Sequence, residues 1–231
     1  MRHAARDAMP ELVTKTIKLT AADEHQLDAY CACPAQPARH AVVVLQEALG
    51  VNAHIRSVVR EYAMHGYLAI APALFDRISP QVDVPYSDIP RAIELIRKMD
   101  NQQALLDIAA AIGSVSHVGP VGIVGYCWGG TLAYLAAAHL PVSAVASYYG
   151  GGLSEYLQHQ PKCPMIFHFG EKDPYISLDS VNELKARYPL EQYYLYPAEH
   201  GFNCPDRPAY NAASAALSLQ RSLAFFQTHL T

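Results

Sequence analysis

No basic run occurs in the 231-residue chain, and its 17 Lys and Arg are outnumbered by 21 Asp and Glu, a formal net charge of −4 at pH 7. It therefore lacks the positive footprint that binding to nucleic acid or an anionic membrane requires. Phosphate-cradling loops are missing too: neither G-x-G-x-x-G nor G-x-x-x-x-G-K-[ST] occurs. Cysteine is sparse and odd in number, five in all with no C-x-x-C pair, which speaks against a disulfide framework and for a reducing cytoplasm. The eleven histidines contain no H-x-x-x-H, and Cys31-Ala32-Cys33 has no partner histidines beside it, so no metal-ligand set is legible. Charged residues make up 16% against 51% hydrophobic, which excludes a disordered chain and implies a sizeable core. The polar start MRHAARDAMPELVTK has no signal-peptide stretch, and residues 1–12 read as a loose arm on a single domain spanning 1–231.

Charge is scarcest between Ile108 and Ser154, where no Asp, Glu, Lys or Arg occurs. A membrane helix needs ~20 predominantly apolar residues in one run. Glycines and prolines from Gly113 to Pro141 break this region up, so it reads as the centre of a soluble sheet whose strands are buried on both faces.

What is present is repeated alternation of strand and helix. Extended segments are predicted at Val13–Leu19, Gln26–Cys33, 41–46 (AVVVLQ), 67–71 (YLAIA), 121–125 (VGIVG), 142–149 (VSAVASYY), 164–170 (PMIFHFG) and 191–197 (EQYYLYP). Helical spacing is predicted over Ile55–His65, Arg91–Ile112 with a break near Asp100–Asn101, Gly130–His139, Ser177–Arg187 and Ala209–His229. Residues 78–90 carry three prolines and read as a loop. This order predicts an α/β fold on a mostly parallel sheet with helices on both faces.

The sharpest motif is Gly125-Tyr126-Cys127-Trp128-Gly129-Gly130, which follows the strand VGIVG and opens a helix. Glycines on both sides permit a turn too tight for side chains, which lifts the middle residue to the carboxyl edge of the sheet as a nucleophile elbow. A helix N-terminus there favours a thiolate and offers N–H groups to an oxyanion. A thiolate nucleophile needs a base, and the base an orienting acid. Asp173 lies just past PMIFHFG and His200 just past EQYYLYP, so all three sit at strand carboxyl ends in the order nucleophile, acid, base. Glu171 and Asp179 compete for the acid role, with Asp173 in the better-placed turn. Cys204, four residues after His200, either borders the site or is a loop or core thiol, and Cys163 reads as core. Tyr148 and Trp128 are candidate pocket walls, and Tyr86 is a loop residue or part of a lid.

With these residues in hand, the chain resembles the dienelactone hydrolase (carboxymethylenebutenolidase) family from about Val13 to its end. The motifs are Gln46-Glu47-Ala48-Leu49-Gly50-Val51-Asn52, the elbow, Tyr148-Tyr149-Gly150, Gly170-Glu171-Lys172-Asp173 and His200-Gly201-Phe202. The resemblance implies an α/β-hydrolase fold, a Cys127-His200-Asp173 triad, no metal or other cofactor, and hydrolysis of an enol-lactone or ester through a thioester, as in the degradation of aromatic compounds. It makes Glu47 a gate that contacts the resting Cys127 thiol and helps deprotonate it. It assigns the oxyanion hole to the backbone N–H groups of Trp128 and Ala48, and a substrate carboxylate to Arg77 and Arg207. Arg207 departs from the family pattern, in which an arginine follows the histidine closely; here it lies seven residues on. The implied partner is a small-molecule lactone or ester, with monomer and homodimer both open. Two rival readings remain, a general carboxylesterase or thioesterase of the same fold and a non-catalytic thiol redox sensor. A dehalogenase-like hydrolase would want Asp at the elbow, where Cys127 stands.

Overall fold

The computed structural model describes residues 12–231; the N-terminal arm expected at 1–12 lies, but for Leu12, outside the described residues. Eight strands form one sheet: β1 (Val13–Thr20), β2 (Gln26–Cys33), β3 (Ala41–Leu45), β4 (Leu68–Pro72), β5 (Val121–Tyr126), β6 (Ala144–Tyr148), β7 (Met165–Gly170) and β8 (Gln192–Tyr196). Their order across the sheet is β1-β2-β4-β3-β5-β6-β7-β8. Only β1–β2 and β2–β4 pair antiparallel; every pair from β4 to β8 is parallel. The mostly parallel α/β sheet expected from the sequence is therefore present, with all eight expected strands.

Burial explains the two kinds of strand pattern. The central strands β3, β5, β6 and β7 are buried at every residue, whereas edge strand β1 is exposed at most positions. Helices α1 (Ala53–Met64) and α6 (Ala212–His229) share one face, joined by the Tyr62 and Phe226 rings at 6.0 Å. Helices α3 (Asn101–Val115) and α4 (Trp128–His139) pack together on the other. The predicted helix over 91–112 is indeed two: α2 (Ile89–Lys98) ends at Met99, and Asp100 caps α3 by accepting from Gln102 N–H at 2.7 Å. Helix α2 begins inside the expected proline loop, because Asp88 caps it through Arg91 N–H at 3.2 Å and Pro90 fits the first turn. Helix α5 (Leu178–Arg187) completes the set.

Because β3, β5, β7 and β8 run parallel, their carboxyl ends open on one edge. Glu47, Cys127, Asp173 and His200 all follow those ends.

Candidate active site

Cys127 follows β5 directly and precedes the first residue of α4, with φ 54° and ψ −120°. A non-glycine residue there costs about 1–3 kcal/mol and persists only where its surroundings fix it. The fixing contacts are a bond from Cys127 N–H to the Tyr148 carbonyl at 3.0 Å and bonds from Gly130 and Thr131 N–H to the Cys127 carbonyl at 2.8 and 3.3 Å. The flanking glycines are required by space: a Cβ on Gly125 would overlap the Gly129 carbonyl, and one on Gly129 the Leu45 and Gln46 carbonyls. The turn thus brings α4 hard against β3 and leaves the sulfur half-buried at the sheet edge.

The Asp173 side chain has no exposed surface in the turn after β7. One carboxylate oxygen accepts from Tyr175 and Ile176 N–H at 2.8 and 3.2 Å. The other meets His200 Nδ1 at 2.8 Å. His200 Nε2 is left for the cavity, where Cys127 stands. Burial alone would push the imidazole pKa down; the facing Cys127 sulfur and the Asp173 carboxylate bonded to Nδ1 raise it instead to about 10. Tyr149 and Tyr175 flank the ring at 5.0 and 5.2 Å.

Glu47 has no exposed surface, and neither carboxylate oxygen has a hydrogen-bond partner among the described residues, the Cys127 thiol included. Its loop is pinned by Gln46, whose Oε1 accepts from Leu74 N–H at 3.1 Å. The group facing Glu47 is Arg207, with Nη2 at 3.6 Å, too long for a direct hydrogen bond. The Arg207 guanidinium also lies over the Tyr86 ring at 5.3 Å. Arg207 borders a cavity of about 530 Å³ whose walls also include Ala48, Cys127, Trp128 and His200, with an apolar side from α2 built of Ile89, Ile93, Ile96 and Met99. That is the size of a small-molecule site. As the first residue of α4, Trp128 has an N–H that the helix cannot use.

Residues 27–230 match the model of the dienelactone hydrolase family. The chain belongs to the dienelactone hydrolase family. Carboxymethylenebutenolidases of Pseudomonas putida and of Pseudomonas knackmussii are each 34% identical to it over 227 residues, covering 93% of this chain and 96% of each relative. The crystal structure of a "Putative Dienelactone Hydrolase" from Klebsiella pneumoniae superposes with a TM-score of 0.85 at 29% identity, covering 95% of this chain and 100% of that one. The chain is a carboxymethylenebutenolidase-like hydrolase with the α/β-hydrolase architecture. No helix among the described residues is long and apolar enough to cross a membrane.

Two of the expected substrate-binding positions lie elsewhere. Arg77 does not border the cavity. Its guanidinium is taken by Asp107 on α3, at 2.7 Å from both Nε and Nη2, and by Asp23, at 2.8 Å from Nη1 and 3.1 Å from Nη2. Asp107 has no exposed surface, so this fork holds a buried carboxylate between β4 and α3 and has no free edge for a substrate. Tyr148 is core and not a cavity wall: fully buried, its hydroxyl meets Ser222 Oγ at 2.9 Å, and its ring packs on Tyr126 and His168. Its neighbour Tyr149 is the one against His200. Trp128 borders the cavity and stacks on Phe75 at 5.2 Å. The Tyr86 hydroxyl, in the 78–90 segment, accepts from Asn52 Nδ2 at 3.1 Å and from the Cys204 thiol at 3.0 Å. The α2 wall was not legible as a site feature, since its apolar residues read as ordinary helix packing.

Proposed function

We propose that the protein hydrolyses a carboxylated lactone or ester by a Cys127-His200-Asp173 triad through a thioester. The observation that carries this reading is the single line Asp173–His200–cavity: a buried carboxylate 2.8 Å from Nδ1 and an imidazole pKa raised by the sulfur that it faces. A protonated imidazole held there favours the thiolate once the thiol proton is taken, and is the acid that the leaving group needs.

The Cys127 thiolate attacks the carbonyl carbon; a C–S bond forms and the oxyanion is held by Trp128 and Ala48 N–H. Losing one such donor typically costs ~2.7–4 kcal/mol of barrier. The ring C–O bond then breaks, and the leaving oxygen takes the proton from His200 Nε2. His200, kept in one tautomer by Asp173, next removes a proton from water; hydroxide adds to the thioester and the C–S bond breaks to restore the thiolate. Arg207 holds the substrate carboxylate. Since it also faces Glu47, a substrate anion on Arg207 draws the cation away and frees Glu47 to accept the Cys127 proton. With Arg77 committed elsewhere, one cation rather than two selects for the anion.

A second reading, a carboxylesterase that takes uncharged acyl groups, is favoured by the apolar α2 wall. Comparing kcat/KM on a dienelactone and on p-nitrophenyl acetate separates the two, and the carboxylated substrate is expected to win. Cys127→Ala is expected to abolish hydrolysis of both while the far-UV spectrum is kept, and wild-type protein quenched in acid is expected to carry the acyl mass. Full activity in Cys127→Ala would remove the nucleophile from this mechanism.

A further inference from the structure

Beside the cavity lies a group of side chains that the triad does not use. Glu47 at the end of β3, His54 on α1 and Cys204 in the loop after His200 each place one donor atom within 4.8 Å of the other two. They come from three separate elements, which is why spacing along the sequence hid them. All three are buried, with His54 3% exposed and Glu47 and Cys204 without exposed surface.

Two of the three are buried polar groups without a hydrogen bond, Glu47 having only the Arg207 cation at 3.6 Å. Neither ring nitrogen of His54 has a hydrogen bond, and neither oxygen of Glu47 does. A buried carboxylate and imidazole side by side without hydrogen bonds each carry a desolvation cost of about 1–3 kcal/mol, more where charged. A cation bound between them would remove both. Burial pushes the His54 imidazole down, toward the neutral form that ligates. The donor set is one nitrogen, one sulfur and one oxygen, which suits a borderline-soft ion and not calcium or magnesium.

We propose that Glu47, His54 and Cys204 form a site for one zinc-class divalent cation, and that its occupancy holds Glu47 and inhibits hydrolysis. The second clause rests on the gate role proposed for Glu47. Tetrahedral bonds of ~2.0–2.3 Å put donors roughly 3.3–3.8 Å apart, so the present spread closes by about 1 Å. Cys204 binds as thiolate: its proton, now directed to the Tyr86 hydroxyl, passes to solvent. Thiolate and carboxylate then match the 2+ charge, and Arg207, 3.6 Å from Glu47, is the cation displaced. Three protein donors leave a fourth position for water, the pattern of an exchangeable site. Entry is through a surface groove bordered by His54, Asn203 and Pro205, the last two flanking Cys204.

The test uses the full chain carrying Cys127→Ser, so that the nucleophile cannot supply the sulfur. Titration with Co²⁺ is expected to give thiolate-to-metal absorption and tetrahedral d–d bands that saturate at one equivalent. Adding Cys204→Ser is expected to abolish the charge-transfer band, and adding His54→Ala to weaken binding at least tenfold. Absence of the band in Cys127→Ser alone, or its persistence with Cys204→Ser, overturns the site. In the Cys127 enzyme, Zn²⁺ is expected to inhibit reversibly, and Cys204→Ser to raise the inhibitory concentration at least tenfold. Cobalt binding without zinc inhibition would keep the site and overturn the role given to Glu47.

Discussion

If the Cys127 sulfur holds the His200 proton, removing the sulfur must release it. The imidazole pKa stands at about 10 against an ordinary 6.5. At about 1.4 kcal/mol for each tenfold change, that is a preference of order 5 kcal/mol for the protonated ring. Burial works against it; the Cys127 sulfur and the Asp173 carboxylate, bonded to Nδ1 at 2.8 Å, work for it. In Cys127→Ala only Asp173 is left to oppose burial. An opposite charge at contact is worth roughly 1–3 pH units, so the His200 midpoint is expected to fall by about 2. The assay is a pH titration followed by the ¹³Cε1 signals of labelled histidine, with the His200 signal identified from its loss in His200→Gln. The sign carries over to stability. A folded pKa above the unfolded value makes His200 stabilising in full below pH 6.5, and that contribution is lost as pH rises through about 10. Cys127→Ala should flatten this part of the pH–stability curve. A His200 midpoint unchanged in the variant would refute the pairing of sulfur with imidazole.

Three further outcomes follow. Arg77→Ala is expected to cost about 3–5 kcal/mol in urea melts, because it strands the buried Asp107 carboxylate, while kcat/KM for folded protein stays within twofold; a substrate role would show in KM instead. Arg207→Gln is expected to lower kcat/KM for a carboxylated substrate at least tenfold and to leave a neutral ester nearly unchanged, so the ratio of the two is the readout. Gly129→Ala is expected to lower the thermal midpoint sharply, since its Cβ meets two backbone carbonyls of the β3 end that cannot move aside; an unchanged midpoint would deny the close approach of α4 to β3.

The fold was legible because its strands are of two clear kinds. Solid apolar runs such as Ala41–Leu45 and Met165–Gly170 are buried on both faces, and turns separate them from helical spacing. Cys127, Asp173 and His200 were legible for the same reason: each follows a parallel strand, and parallel strands end on one edge. What failed was direction. Tyr148 and Tyr149 are adjacent in one motif, yet Tyr148 ends β6 with its hydroxyl on Ser222, whereas Tyr149 lies past the strand with φ 39° and is the one that reaches His200. Arg77 occupies the family's motif position, but its fate is set by an aspartate 30 residues away on α3. Asp107 itself was a signal: it is the acidic residue among the buried positions Ala104, Leu105, Ile108 and Ala111 of that helix, and a carboxylate on an apolar stripe needs a partner. Glu47, His54 and Cys204 were beyond reach, since no spacing rule joins a strand end, a helix and a loop 150 residues apart.

The Glu47–Arg207 pair explains how one side chain can serve both selection and activation in the proposed reaction. At 3.6 Å it is an ion pair without a hydrogen bond, and Arg207 Nε is also unpartnered. A guanidinium saturated by two carboxylates, as Arg77 is, would gain little from a third anion. Arg207 has donors to spare, so a substrate carboxylate can take a bidentate position on it at small cost. The same step weakens the charge that steadies Glu47 in a site with no water-facing surface, and an ionised carboxylate deprived of its cation there gains basicity. In that proposal the anion selected is also the one that turns on the base, and an uncharged ester, binding without touching Arg207, leaves Glu47 paired with its cation.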